Sequence, residues 1–333
     1  VTGTDGANVI TVNDANSNVD AGKGNDTISG GEGTDVLIGG KGDDTFIVRS
    51  LLDIWSASGA SLLEDTITGG AGTDTIAINA LTFAANDDWV GSKVSGIASI
   101  SVNTASATAF SITTHAHFTD DTSITTIDLS GDTNTTGSNT IDVSNDGASP
   151  AAAFTLTGSA GVDTITGDGG ADIITPGKGA DIINGGGGAD IIIYAASGGL
   201  DHIDEFQSGT DKLNIDALVG NVTGTALVTF SGTSGTAAAD GEIVAKTGET
   251  ATAADTTAAI ALFETANNSN NKMVIADNAQ VVLLSQDANT GANDTFDAEV
   301  FIVSRSGSNV TAEQIALVDN NAASSTLAFG DFV

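Results

Sequence analysis

The chain is 333 residues long with a formal net charge of −34, from 43 acidic and 9 basic residues. That excess argues against nucleic acid and anionic lipid as partners and favours cations, metal ions first among them. There is no cysteine, so disulfides, thiolate–zinc sites and a cysteine nucleophile are excluded, and 42 glycines against 2 prolines indicate glycine with a positional task rather than a linker.

From Gly3 the sequence divides into nines: GTDGANVIT, VNDANSNVD, AGKGNDTIS, GGEGTDVLI and GGKGDDTFI, ending at Ile47. The last three follow GGxGxDxUx, where U is a large apolar residue. Their acidic places hold Asp26, Asp35 and Asp44, and their apolar places Ile28, Leu37 and Phe46. The first repeat has Asn8 in the acidic place, and the second has lost its glycines. Residues 48–64 interrupt the pattern with LLDIWSASGASLL, read as a short helix or turn. A fragment of the pattern returns over 60–77 as LLEDTIT and GGAGTDTIA, with Asp65 and Asp74 nine apart.

Residues 76–156 carry alternating runs such as SISVNT, AFSITT, TTIDLS, NTIDVS and FTLTGS, separated by GDTNTTGSN and SNDGASP. Period-two alternation of β-branched and small polar residues predicts half-buried strands. Leading straight into a second repeat block, they suggest a β-solenoid continuous with it; a separate small β-sandwich would show similar strands. The second block reads GSAGVDTIT, GDGGADIIT, PGKGADIIN and GGGGADIII from Gly158, with Asp163, Asp172, Asp181 and Asp190 at spacing nine. SGGLDHIDEFQSGTDKLNI closes it, adding Asp201 and Asp211. Beyond residue 217, LVTFSG, EIVAKT, KMVIAD, QVVLLSQ and EVFIVSR predict strands, and ATAADTTAAIALFETANN predicts one short helix. The domain reading is a first repeat block at 1–50, a solenoid-like segment at 51–157, a second repeat block at 158–216 and a β-rich domain at 217–333.

The repeat has a chemical logic. Glycine permits positive φ and close backbone approach, so GGxGxD forms a tight loop with carbonyls facing inward. The turn glycines taken as part of the site are Gly22, Gly24, Gly31, Gly33, Gly40, Gly42, Gly167, Gly169, Gly177, Gly179, Gly186 and Gly188. Aspartate adds a hard carboxylate oxygen, and oxygen cages of about six or more ligands suit calcium. The remaining residues form a short strand whose middle side chain enters the core. A lone repeat cannot bury its single apolar residue, so stability requires stacking and metal.

These nonapeptides resemble the RTX repeats of proteins exported by type I secretion. The resemblance implies an all-β fold: a parallel β-roll with a calcium ion between one loop and the loop two repeats later. Asp26 would then share an ion with Asp44, Asp163 with Asp181, and Asp172 with Asp190. Asn8 and Asp26 would form a weaker pair, and Ser17 is a poor partner for Asp35. FQSGTDKLNI resembles the family's end to a repeat block, and the apolar tail LAFGDFV its C-terminal export signal. Val1 is read as a processed or truncated start.

The acidic, cysteine-free, lysine-poor composition with Thr/Ser/Ala-rich segments also resembles RTX-type surface-layer proteins of Gram-negative bacteria. That implies a secreted or cell-surface protein that folds on calcium and assembles with copies of itself in a calcium-bridged lattice. Its further partners would be the type I secretion machinery and surface polysaccharide, with no nucleic acid and no transmembrane segment. Two alternatives are the export and folding module of a larger adhesin or secreted enzyme, and a calcium-dependent adhesin using Asp87, Asp88 and Trp89.

Rival sites are weaker. His115 and His117 would share a strand face and could ligate zinc or copper with carboxylates; surface histidines are the simpler reading. DANSNVD from Asp14 has the oxygen spacing of an EF-hand loop but lacks its glycine and final acid, so it reads as a degenerate repeat turn. DANTGAND offers Asp287, Asn289 and Asp294, which also suit an ordinary Asx-rich hairpin. No HExxH, GxSxG or P-loop motif occurs, so catalysis is not expected.

Overall fold

The computed structural model describes residues 1–12, 16–49, 65–79, 83–86, 93–103, 109–114, 119, 123–146, 151–194, 198–215, 228–230, 242–246, 263–264, 273–274, 280–286, 298–306 and 309–320. They fall into two compact units, Val1–Gly177 and Lys178–Val333. The described elements are all β-strands.

In the first unit these are β1 (Val9–Thr11), β2 (Asn18–Lys23), β3 (Thr27–Ser29), β4 (Val36–Lys41), β5 (Thr45–Val48), β6 (Thr66–Ala71), β7 (Thr75–Ile78) and β8 (Phe83–Asn86). They are followed by β9 (Val94–Ser95), β10 (Ser99–Val102), β11 (Phe110–Thr113), β12 (Thr126–Asp128), β13 (Ser138–Asp142), β14 (Thr155–Thr157), β15 (Val162–Thr166) and β16 (Ile173–Thr175). One parallel sheet runs β1-β3-β5-β7-β10-β12-β14-β16, a second β2-β4-β6-β9, and a third β8-β11-β13-β15. Apart from β7-β10, β6-β9 and β8-β11, which lie three elements apart, neighbours in each sheet are alternate elements in the chain, the signature of a coil that gives one strand to each face per turn.

The middle side chain of each strand points inward, and parallel register stacks these residues. Ile10, Ile28, Phe46, Ile76, Ile100, Ile127, Leu156 and Ile174 form one buried column. Val19, Leu37, Ile67 and Val94 form a second, and Ile112, Ile141 and Ile165 a third. Each such side chain contributes about 1.5–3 kcal/mol of burial, none of it available to a coil standing alone. The first column continues in parallel register through the described residues of 94–157, an arrangement consistent with a solenoid.

The coil length is not constant. Equivalent positions lie 18 residues apart in the first repeats, 30 across the segment after β5, then 24, 27 and 29, and 18 again at Phe154 and Asp172. Extra residues enter at the corners while strand register is kept.

The second unit contains β17 (Ile182–Asn184), β18 (Ile191–Ile193), β19 (Asp201–Phe206), β20 (Lys212–Asn214), β21 (Val228–Phe230) and β22 (Glu242–Lys246). It continues with β23 (Phe263–Glu264), β24 (Met273–Val274), β25 (Gln280–Gln286), β26 (Ala298–Ser306) and β27 (Asn309–Asn320). β17 pairs with β19 and β18 with β20, both parallel, which repeats the coil pattern. β19 then pairs in parallel with β27, from which an antiparallel β27-β26-β25 meander extends. Val300, Val303, Ile315, Ala316 and Val318 are buried there.

All five strand candidates of the C-terminal region are strands; β27 is an addition the sequence reading did not single out. The short helix expected over ATAADTTAAIALFETANN is not seen: Phe263–Glu264 is extended and pairs with Met273–Val274. A strand there satisfies main-chain groups through a partner, which local helix propensity does not anticipate. The remainder of that helix candidate, and residues 51–64, lie outside the described residues.

Candidate metal centre

Each repeat places a tight turn before its strand, with the aspartate at the turn's end. Where the turn reads xGxGxD, the second and fourth residues have positive φ: Gly22 and Gly24, Gly31 and Gly33, Gly40 and Gly42, Gly70 and Gly72, Gly177 and Gly179, Gly186 and Gly188. At Gly40 (φ 113°) the requirement is doubled. A side chain there would also collide with the carbonyl oxygen of Gly22, its counterpart one coil earlier. The successive loops stack main chain on main chain.

The aspartates are buried despite their charge: Asp26, Asp35, Asp44, Asp65, Asp74, Asp163, Asp172, Asp181, Asp190, Asp201 and Asp211 are all below 5 % exposed. In Asp26, Asp35, Asp44, Asp65, Asp74, Asp172, Asp201 and Asp211 one carboxylate oxygen accepts a main-chain N–H from the equivalent position one coil earlier. Asn8 N donates to Asp26 Oδ1 at 2.7 Å, Asp26 N to Asp44 Oδ1 at 2.8 Å, and Asp44 N to Asp74 Oδ1 at 2.8 Å. On the other corner Ser17 N donates to Asp35 at 2.7 Å and Asp35 N to Asp65 at 2.8 Å. In the second unit Asp181 N donates to Asp201 at 2.9 Å and Asp190 N to Asp211 at 3.1 Å. The result is two acidic columns in the first unit, Asp26–Asp44–Asp74 and Asp35–Asp65. Asp65 and Asp74 are thereby the next rungs of the first block, although the sequence shows them as a detached pair.

Calcium demands hard oxygen donors, and two observations test whether these loops supply them. The second carboxylate oxygens of Asp26, Asp44 and Asp74 are buried and accept no hydrogen bond. A buried carboxylate oxygen without a donor is costly unless a cation faces it. A methyl group built at Gly39 would collide with Asp44 Oδ2 and come within 2.7 Å of Gly69 O; at Gly69 it would collide with Asp74 Oδ2 and Gly96 O. Carboxylate and carbonyl oxygens thus flank the same point. Among the described residues no three His, Cys, Asp or Glu side chains form a metal-holding group; a cation at this point would be held by carboxylate together with main-chain carbonyl oxygen. The donor set fits calcium.

The charges are unfavourable as they stand. Burial raises the pKa of Asp44, with the Asp26 N–H opposing and the charges of Asp74, Asp26 and Asp43 adding to the rise. Burial raises Asp74 likewise, against the Asp44 N–H and with the Asp43 charge.

Not every predicted site residue sits in such a loop. Asp163 accepts from Ser159 N at 2.6 Å and Ser159 Oγ at 3.0 Å, all within its own turn. Ser159 Oγ also accepts from Asn139 Nδ2, which in addition reaches Asp132 Oδ2 at 3.3 Å. Asp172 accepts Phe154 N at 2.8 Å on one oxygen and Asp168 N at 3.1 Å on the other. Asp211 accepts Gln207 N at 2.7 Å, also from its own turn. Gly167 and Gly169 are the first and third residues of the Asp172 turn, and no residue between 158 and 172 has positive φ. Burial pushes Asp172 up to about 6, opposed by the Phe154 and Asp168 N–H groups and reinforced by the Asp168 charge. Asp163 is raised by burial too, against its hydrogen bonds from Ser159 and Asn139.

Asn8 closes its own loop with neutral groups. Its side-chain oxygen accepts Thr4 N at 2.6 Å, and its amide donates to Gly6 O at 2.7 Å. Asp163 and Asp172 belong to the first unit, and Asp181 and Asp190 to the second. His115, His117, Asp14, Asp87, Asp88, Trp89, Asp287, Asn289 and Asp294 lie outside the described residues.

The sequence reading missed Ser159, Asn139, Asp132 and Asp168, which no period marks. It also missed the residues just before the aspartates. Asn25 Oδ1 accepts Asp43 N at 3.0 Å, and Asp43 Oδ1 accepts Thr73 N at 2.8 Å, a second exposed ladder beside the buried one.

A family model for the RTX calcium-binding nonapeptide repeat, in four copies, matches residues 2–37, 11–46, 64–77, 155–183 and 177–196. No curated protein matches the chain. The matched stretches are those that hold the turns and acidic columns, and such repeats are structural calcium-binding elements rather than catalytic ones. No helix among the described residues is long and apolar enough to cross a membrane.

Proposed function

We propose that this chain, which carries RTX calcium-binding nonapeptide repeats, is a calcium-dependent structural protein that folds after export and assembles with its own copies at the cell surface. The observation that carries the calcium part is the Asp26–Asp44–Asp74 column, whose second carboxylate oxygens are buried and lack hydrogen-bond donors, those of Asp44 and Asp74 with main-chain carbonyls beside them. Without metal, that column stacks negative charge in a poorly solvated corner; calcium supplies the missing countercharge. Loops of this kind bind at about 10⁻⁴–10⁻³ M, which matches a calcium-rich exterior and keeps the loops empty in a calcium-poor cell. Each site then adds about 1.4 kcal/mol when free calcium is ten times Kd.

Assembly is supported by the net charge of −34 with only 9 basic residues, because divalent ions bridging acidic surfaces remove the repulsion between copies. The test is calorimetric calcium titration of the metal-stripped chain, with electron microscopy of the same samples. Saturable binding with a rise in melting temperature, and ordered sheets or filaments only with calcium, are expected. No heat of binding would overturn the calcium reading. Binding by a chain that stays monomeric at high concentration in millimolar calcium would overturn the assembly reading alone.

A further inference from the structure

The turns fall into two kinds that the repeat pattern does not separate. In the open kind, at Asp26, Asp44 and Asp74, positive-φ glycines occupy the second and fourth places and one buried carboxylate oxygen accepts no hydrogen bond. In the closed kind, at Asp163 and Asp172, the second place holds Ser159 or Asp168 and no residue of the turn has positive φ. There the turn's own main-chain N–H points at the carboxylate, from Ser159 at 2.6 Å and from Asp168 at 3.1 Å. A donor hydrogen in that place presents positive charge where a cation would have to sit, and it satisfies the oxygen the cation would have served.

The coils before them are also free of the acidic column. Register sets Asp74 beside the main chain of Ala98, and the rung below Asp172 is Phe154. The corners of this stretch are closed by side chains instead. Asp128 accepts Ser130 N at 2.8 Å, Asp132 accepts Asn134 N at 3.1 Å, Asn134 accepts Thr136 N at 2.9 Å, and Asp142 accepts Ser144 N at 3.0 Å. Asp146 accepts Thr119 N at 2.8 Å. The first apolar column runs through unchanged.

We infer that Ser159 and Asp168 mark where calcium binding stops: the Asp163 and Asp172 turns take no metal, and the described residues between 94 and 175 form a hydrogen-bond-closed section of solenoid that holds its register without calcium. This rests on the calcium reading of the open turns. Calcium then governs the first repeats and not the coils that follow them, so chelation melts the first unit from its N-terminal side and leaves a folded remainder.

The test is amide hydrogen exchange of the full chain, metal-stripped and in millimolar calcium, resolved by peptide. Residues 20–48 and 65–78 are expected to lose protection on chelation, while 97–103, 123–146 and 151–175 keep theirs. Equal loss in both regions overturns the inference and leaves the calcium reading intact; no response in either overturns the calcium reading itself. A second measurement uses Ser159→Ala, which removes the hydroxyl's contacts with Asp163, Gly161 and Asn139. It should lower the melting temperature by the same amount with and without calcium. A drop confined to the calcium-bound protein would show the Asp163 turn to be a metal site, against the inference.

Discussion

Replacing Asp44 by asparagine separates a ligand from a merely structural carboxylate. The substitution keeps an oxygen to accept the Asp26 N–H, now at 2.8 Å, and leaves the Asp44 N–H free to reach Asp74 as before. It exchanges the buried, donor-less Oδ2 for an amide NH₂ close to Gly69 O. Asn8 already shows such closure, donating to Gly6 O at 2.7 Å. In metal-free protein the change removes a charge that burial and the neighbouring Asp74, Asp26 and Asp43 disfavour, so stability should hold or rise. In calcium it should fall. Asp44 stands between Asp26 and Asp74, so two ions lose a ligand; at about 1.4 kcal/mol each the loss is about 3 kcal/mol. For a unit of this size that is roughly 6–12 °C. Thermal melts of both proteins, metal-stripped and at free calcium tenfold above Kd, give the four values required. Equal destabilisation under both conditions would refute the reasoning, since a structural carboxylate is missed regardless of metal.

Other consequences are as direct. Gly39→Ala should cost roughly 2–3 kcal/mol by thermal melt, because its methyl meets Asp44 Oδ2 and Gly69 O, whereas Gly6→Ala, with nothing within 4 Å, should be near neutral. Ile127→Ala opens a void in a fully buried column and should cost about 2–5 kcal/mol, equally with and without calcium, in denaturant titrations. Asp172 has a folded pKa of about 6 against 3.8, so the folded chain holds the extra proton between those values. Its contribution is therefore greatest below the ordinary value and is lost as pH rises through about 6. The metal-stripped protein should melt higher at about pH 5 than at about pH 7, and a lower melting point at pH 5 would contradict this.

How much of this the sequence discloses depends on where the coil length is constant. Between Gly22 and Asp44 every coil is 18 residues, so spacing alone gives the turns, the aspartates and the inward Ile28, Leu37 and Phe46. Past β5 the step becomes 30, and the period is lost although the columns are not. Asp65 and Asp74 therefore read as a stray pair when they are the next rungs. Closed and open turns look alike in sequence because both end in aspartate; the difference lies in whether the second residue can take positive φ. The Asn139–Ser159–Asp163 network joins residues from different coils and leaves no local trace. β27 has the same difficulty. Its AEQIAL stretch is rich in helix formers, and its extended form is fixed by pairing with β26 on one side and β19 on the other.

The variable coil length has an engineering meaning. Register is held by main-chain stacking and apolar columns, so a corner can accept extra residues for little more than loop-closure entropy. Lengthening a coil from 18 to 30 residues costs about 0.5 kcal/mol on that basis, less than one buried isoleucine returns. New peptide can thus be grafted at a corner, between β5 and β6 for example, while the rungs on either side stay aligned. The chain is a ladder whose side rails tolerate ornament and whose rungs do not.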